Sequence, residues 1–197
     1  MEFLQALQSR RSVYALGSQA LVADEVVGKK IQAVIEATPS AFNSQSQRVV
    51  LLWGDHHKQL WNLVLEALKK IVSEKQYPKT AAKIAAFAAG RGTILFFDDQ
   101  AVTKGLMADY PLYKENFAIW YQQQAGMLQS NIWVALAEFG YGASLQHYNE
   151  LIADSVRQAF GLPAEWELLA QMPFGNVLQA PEAKEKQPIE ERFRIID

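Results

Sequence analysis

Phe3, Leu4 and Leu7 recur at helical spacing, so residues 2–9 are expected to form a short amphipathic helix delivering Ser9-Arg10-Arg11-Ser12 at its end. A second helix is expected from Asp24, a good N-cap, to about Ala37. Val27, Ile31, Val34 and Ile35 mark its inner side, and Thr38-Pro39-Ser40 stops it. Residues 40–46 (SAFNSQS) read as a polar loop, and 47–54 (QRVVLLWG), rich in β-branched and aromatic residues, as a buried strand. Asp55 then caps a helix with Leu60, Val64, Leu68 and Ile71 on one face. Pro78 suits the first turn of an Ala-rich helix over 78–89 that Gly90 terminates, and TILFF at 93–97 is a second buried strand closed by Asp98-Asp99.

The longest helix is expected from about Glu115 to Phe139. Its apolar residues, including Phe117, Ile119, Trp120, Met127, Leu128, Ile132 and Trp133, occur almost all round, which predicts a central helix covered on several sides. Gly140-Tyr141-Gly142 breaks it, residues 143–147 connect, and Asn149 opens a helix to about Phe160. Residues 165–177 suggest a third strand, 178–188 a polar tail, and 192–195 an alternating edge strand. Helices flank a few strands without regular βαβ alternation, so the fold class is α+β. The chain is expected to be one domain over 1–197. Its last segment, 178–197, reads either as a disordered tail or as an arm of the kind a domain-exchanged dimer uses.

Composition narrows the chemistry. Half the residues are hydrophobic, as a core-rich globular protein requires. Lys+Arg 19 against Asp+Glu 21, with no block of like charge, offers neither a nucleic-acid footprint nor a polybasic membrane patch. With no cysteine, thiolate metal sites and cysteine nucleophiles are excluded, and any redox chemistry must come from a cofactor. No apolar run approaches the ~18–20 residues of a membrane span and no secretory signal is seen, so a cytoplasmic location is expected.

Gly90-Arg91-Gly92 and Gly140-Tyr141-Gly142 lack the third glycine of a dinucleotide fingerprint and read as helix ends. His56 and His57, adjacent at a helix start, read as surface residues, and no metal-ligand spacing surrounds them. Arg10-Arg11-Ser12 places two guanidinium forks and a hydroxyl in one turn, a match for phosphate, though a solvated pair of arginines is the plainer reading of these residues alone. The loop around Ser40, Asn43 and Gln45 is dense in amides and hydroxyls that suit the polar edge of a heterocycle or simply water.

Taken in order, SRRSVYAL, ATPSAFNSQSQRVVLLWG, GMLQSNIWVALAEFGYGASLQHYN and MPFGNV with AKEKQPIEER resemble the FMN-dependent nitroreductase family over nearly the whole chain. PSAFNSQSQR and GYGASLQHYN are most similar to the subgroup of the fungal fatty-acid-repression proteins and their bacterial nitroreductase-like relatives. The resemblance implies a nitroreductase-like fold, a small mixed or antiparallel sheet flanked by helices. It also implies a homodimer holding FMN between its subunits, with the C-terminal arm exchanged. Arg10, Arg11 and Ser12 would take the FMN phosphate, completed by Lys184 and Lys186. Ser40, Asn43 and Gln45 would reach the flavin edge from the other subunit, and Gly142, Ala143 and Ser144 would lie against the ring.

The implied activity passes a hydride from NAD(P)H through flavin to a nitroaromatic or quinone-like acceptor, with no catalytic side chain required; a flavin-binding regulator with little turnover is the alternative. Phe42, Trp120 and Tyr121 are candidate walls of the acceptor pocket, core packing being the plainer role for Trp120. Two departures from the family pattern, Ser46-Gln47 after the loop and Tyr14 after the Arg-Arg-Ser turn, bear on the acceptor and nicotinamide side.

Overall fold

The computed structural model describes residues 2–196. Its elements run α1 (Phe3–Ser9), β1 (Leu16–Gly17), α2 (Asp24–Ala37), β2 (Gln47–Trp53), α3 (Gly54–Lys69), α4 (Tyr77–Ala88), β3 (Gly92–Asp99), α5 (Gln100–Asp109), α6 (Lys114–Glu138), β4 (Tyr141–Ala143), α7 (Asn149–Phe160) and β5 (Trp166–Val177). The sheet follows the order β1-β5-β3-β2 with β4 also on β5, and every strand pairing is antiparallel. This is the α+β class expected.

Strand β3 explains the layering. Successive side chains of a strand point to opposite faces. Accordingly, Ile94 and Phe96 join Val27 and Ile31 of α2 and Leu128, Ile132 and Leu136 of α6 in one core. Leu95 and Phe97 join Leu60, Trp61 and Val64 of α3, Ile84 and Phe87 of α4, and Ile152 and Val156 of α7 in the other. Helices therefore cover both faces of the sheet. That is why TILFF reads as a continuous apolar run rather than an alternating one.

Several expectations need correction. Helix α2 has Ala23 at the N-cap. Asp24 is already helical, and its carboxylate accepts two bonds from the Arg91 guanidinium, at 3.1 and 2.5 Å. Helix α3 starts at Gly54, whose φ of +53° lets the chain turn directly out of β2, so Asp55 lies in the first turn rather than capping it. That helix ends at Lys69, before Ile71, which is exposed.

His57 is not at the surface. It is 1% exposed, its Nδ1 lies 2.8 Å from Thr93 Oγ1, and its Nε2 lies 3.2 Å from the carbonyl of Ala88. Because the Ala88 carbonyl can only accept, the neutral imidazole carries its proton on Nε2, and Nδ1 accepts from the Thr93 hydroxyl, whose oxygen in turn accepts from Trp61 Nε1. Burial holds its pKa below 6.5.

Gly140, at φ +81°, does end α6. Gly90 follows the C-cap Ala89 of α4 without a left-handed turn; its lack of a side chain matters because a Cβ would stand 2.8 Å from the Phe174 carbonyl. Residues 141–143 form β4 rather than a break, and α5 has no counterpart among the expected elements. Residues 192–195 pair with no strand; a 3₁₀ turn, Ile189–Glu191, precedes them. Helix α6 is only partly covered, leaving Ile119 and Met127 exposed.

Candidate functional site

The N-terminal turn is built against β4. Ser12 forms a parallel bridge with Ala143, and the Val13 N–H donates to the Ala143 carbonyl at 2.9 Å. Gly142 permits this approach, since a Cβ there would meet Val13 at 2.8 Å and Val177 at 2.9 Å. Arg10, Arg11, Ser12, Gly142, Ala143 and Ser144 are thereby brought together. Ser144 is fully buried, its hydroxyl accepting from Gln146 Nε2 at 3.1 Å and its N–H donating to the Pro173 carbonyl. Gly142, Ala143 and Ser144 are all buried within the chain, so this segment supports the arginine turn from behind.

Beside the turn lies a cavity of about 280 Å³, bounded by Arg10, Arg11, Trp133, Ala137, Gly142 and Pro181 among others. The Arg10 guanidinium sits 4.5 Å over the Trp133 ring, and Arg11 donates to the Glu182 carbonyl at 2.5 Å. Among the described residues neither arginine is ion-paired with a carboxylate. The tail thus reaches the arginine turn through its backbone, while Lys184 and Lys186 are exposed beyond that contact.

The second cluster is the loop before β2. Ser40 Oγ accepts from the Gln45 N–H at 2.9 Å, and the Ser40 carbonyl accepts from the Asn43 N–H at 3.0 Å. Phe42 (φ 54°), Asn43 (φ 52°) and Gln45 (φ 49°) are the only non-glycine residues in the left-handed region among those described. Asparagine tolerates that conformation, but for Phe42 and Gln45 it costs roughly 1–2 kcal/mol each. Asn43 and Gln45 are exposed.

Phe42 is half exposed and packs on Tyr110, Tyr113, Phe117 and Trp120, lying nearly parallel to the last at 5.9 Å. With Pro39, Ser40, Gln124 and Met127, Phe42 and Trp120 line a cavity of about 400 Å³. Tyr121 is not part of it; it hydrogen-bonds Gln122 and Glu167, and burial raises its phenol pKa.

Helix α6 separates the two clusters. At about 100° and 1.5 Å per residue, Trp133 and Ala137, which border the arginine turn, are centred about 130° round the helix and roughly 17 Å along it from Trp120, Gln124 and Met127. Gln122 and Gln129 border a further polar cavity, of about 430 Å³, with His147 and Asn149. One chain therefore presents the arginine turn and the amide loop on nearly opposite sides of the same helix.

Three residues of this region are not apparent from the sequence alone. Gln124, 2% exposed, accepts the Ala41 N–H on Oε1 at 2.9 Å and donates from Nε2 to Ser46 Oγ at 2.7 Å. Ser46, fully buried, donates to Asp98 Oδ1 at 2.5 Å. Asp98, 1% exposed, also accepts from Thr103 Oγ1 at 2.6 Å and Gln100 Nε2 at 2.9 Å; burial pushes its carboxyl above the usual range despite these donors. No local spacing announces contacts that join residues so far apart in the chain.

This antiparallel sheet between two layers of helices is a nitroreductase-like fold. The nitroreductase family model matches residues 7–176, and the chain belongs to that family. It is similar to the Saccharomyces cerevisiae nitroreductase FRM2, 32% identical over 185 residues (92% of this chain, 91% of FRM2), and to HBN1 of the same organism, 35% identical over 184 residues with the same coverage. Among solved structures, nitroreductase CinD from Lactococcus lactis in complex with chloramphenicol matches with a TM-score of 0.91 and 39% identity, covering all of both chains. The same enzyme in complex with 4-nitrophenol gives 0.90 and 38%, again over both full chains. The protein is thus an oxidoreductase of the nitroreductase type.

Proposed function

We propose that two copies of this chain hold FMN between them and reduce a nitroaromatic or quinone-like acceptor with electrons from NAD(P)H. The observation that carries the reading is the split site: a cationic turn and an amide-rich loop lie on nearly opposite sides of α6, so a second copy is needed to bring one of each together. Neighbours solved with chloramphenicol and with 4-nitrophenol support a nitro compound as acceptor.

The donor set fits the cofactor. Arg10 and Arg11 have no carboxylate partner among the described residues, so their charge is available to a phosphate dianion, with Ser12 as a hydroxyl donor and Lys184 and Lys186 as mobile-length cations from the tail. Ser40, Asn43 and Gln45 supply amide and hydroxyl groups for the polar edge of the ring from the other copy. Gly142 and Ala143, buried against the turn, fix its backbone, with Ser144 held by Gln146 behind them.

When bound, FMN would supply the hydride relay between nicotinamide and acceptor. The protein's part is to orient and to exclude water. Phe42 and Trp120 offer apolar faces on which a planar electron-poor ring can stack, and Pro39 and Met127 close the sides. No side chain at either cluster is required as an acid or base, so activity should rest on positioning and charge stabilisation.

The test is direct. Purified protein should show flavin absorbance, or gain it with added FMN, sediment as a dimer, and oxidise NADH or NADPH in the presence of 4-nitrophenol or a quinone. Flavin retained but reduced by both nicotinamides no faster than free FMN would falsify the enzymatic reading.

A further inference from the structure

We propose that buried Asp98 is a positioning residue for the loop 40–45, acting through Ser46 and Gln124 to hold that loop in its left-handed, ligand-ready shape. The inference deepens the flavin reading and rests on it for the ligand, but the loop geometry it explains is present without one.

The argument is about the direction of a hydrogen-bond chain. An ionised carboxylate accepts and never donates. Ser46 must therefore spend its hydroxyl hydrogen on Asp98 Oδ1, which leaves its lone pairs facing Gln124. Only the Nε2 end of Gln124 can answer an acceptor, so the amide is oriented with Nε2 toward Ser46 and Oε1 toward the Ala41 N–H. The Ala41 amide is the first of the loop, and Ser46 is the residue that ends it. Backbone ties act at the same place: the Asp99 N–H donates to the Ser46 carbonyl at 2.8 Å, and Gln47 Nε2 donates to the Gln124 carbonyl at 3.2 Å.

Both ends of the loop are therefore clamped to the β3–α6 core, and the left-handed residues Phe42, Asn43 and Gln45 lie between the clamps. A strained backbone persists only where its surroundings over-determine it. Inside the loop, the Asn43 and Gln45 N–H groups donate to Ser40 and the Ser44 N–H to Ala41, which shapes the turn without anchoring it. Arg48 of β2 ties the Gln45 carbonyl at 2.6 Å, and the chain that starts at Asp98 fastens the loop's two ends. An asparagine at this position has the same size but can donate to Ser46 through Nδ2. Its amide oxygen stays with the two donors Thr103 and Gln100, which puts Nδ2 against Ser46; the serine hydroxyl then loses its acceptor, and the direction of the chain to Gln124 and Ala41 is no longer fixed.

The test compares wild type with Asp98→Asn, Ser46→Ala and the double variant, by amide hydrogen exchange without ligand and by titration with FMN. Each single variant should speed exchange at residues 41–45 by about tenfold and raise the FMN dissociation constant by about tenfold, the loss of roughly one hydrogen bond to a buried group. Exchange at residues 94–97 and at 11–13 should change little. The double variant should match the worse single one, because both cut one chain.

Loop exchange equal to wild type, loosening of 94–97 as large as that of the loop, or losses that add in the double variant would each overturn the proposal. Should Asp98→Asn fail to fold, Ser46→Ala, which removes one hydroxyl, decides alone. A wild-type protein that never binds FMN would defeat the flavin reading, while the exchange experiment would still decide the role of Asp98.

Discussion

The two halves of the proposed site are held in opposite ways. The arginine turn is held by ordinary backbone means: it pairs with β4, Gly142 lets it approach closely, and its working groups project from a relaxed chain. The amide loop is left-handed at three positions, strained at Phe42 and Gln45, and is fastened by buried side chains reaching from β3 and α6. A charged ligand group is recognised by long cations that can adjust, so their support needs only to be nearby. A ring edge is recognised by short amides that cannot adjust, so precision must be built into the backbone, at a cost in stability.

The sharpest way to break this contrast is at Gly142. Gly142→Ala should cost about 2–3 kcal/mol by chemical denaturation, because the added methyl meets the buried Val13 at 2.8 Å, as well as Val177, rather than solvent. A cost below about 0.5 kcal/mol would show that the turn is not wedged against β4. Next, Arg11→Ala should weaken FMN binding roughly 10–100-fold with an unchanged unfolding midpoint, since the Arg11 guanidinium hydrogen-bonds an exposed Glu182 carbonyl and makes no ion pair among the described residues. A loss confined to Arg10→Ala instead would place the phosphate on the other guanidinium.

Acid supplies a control that touches neither half. His57 has a depressed pKa, so the folded chain binds fewer protons there than the unfolded one, and stability should fall as pH drops below 6.5. The slope cannot exceed about 1.4 kcal/mol per pH unit from this residue. Denaturation at successive pH values should show it in wild type and lose that share in His57→Gln. The smallest effect is expected at Gln45→Gly, which relieves the left-handed strain and should leave stability level or up to about 1 kcal/mol higher, while FMN affinity falls. A variant that gains both would contradict the view that the loop trades stability for precision.

The same contrast governs what the sequence could reveal. The arginine turn and the amide loop were legible because each is contiguous, and β3 because both of its faces are apolar. The Asp98, Ser46 and Gln124 chain was not, since its partners lie 52 and 78 positions apart and each residue alone looks like ordinary polar filling. His57 was misplaced for the same reason: Thr93 and Ala88, which satisfy it, belong to other elements. Strands β1 and β4 are two and three residues long and contain glycine, so no alternation can develop. Helix α5 buries only Thr103, leaving almost no apolar stripe to read.

Placing the two clusters on opposed sides of α6 has a genetic consequence. On the dimeric reading, a polypeptide damaged only at Arg11 and one damaged only in the loop are each inactive when expressed alone. Co-expressed, they should complement: a mixed pair reunites one sound turn with one sound loop and gathers both lesions in the other position. Random pairing would restore about one quarter of the full complement of centres.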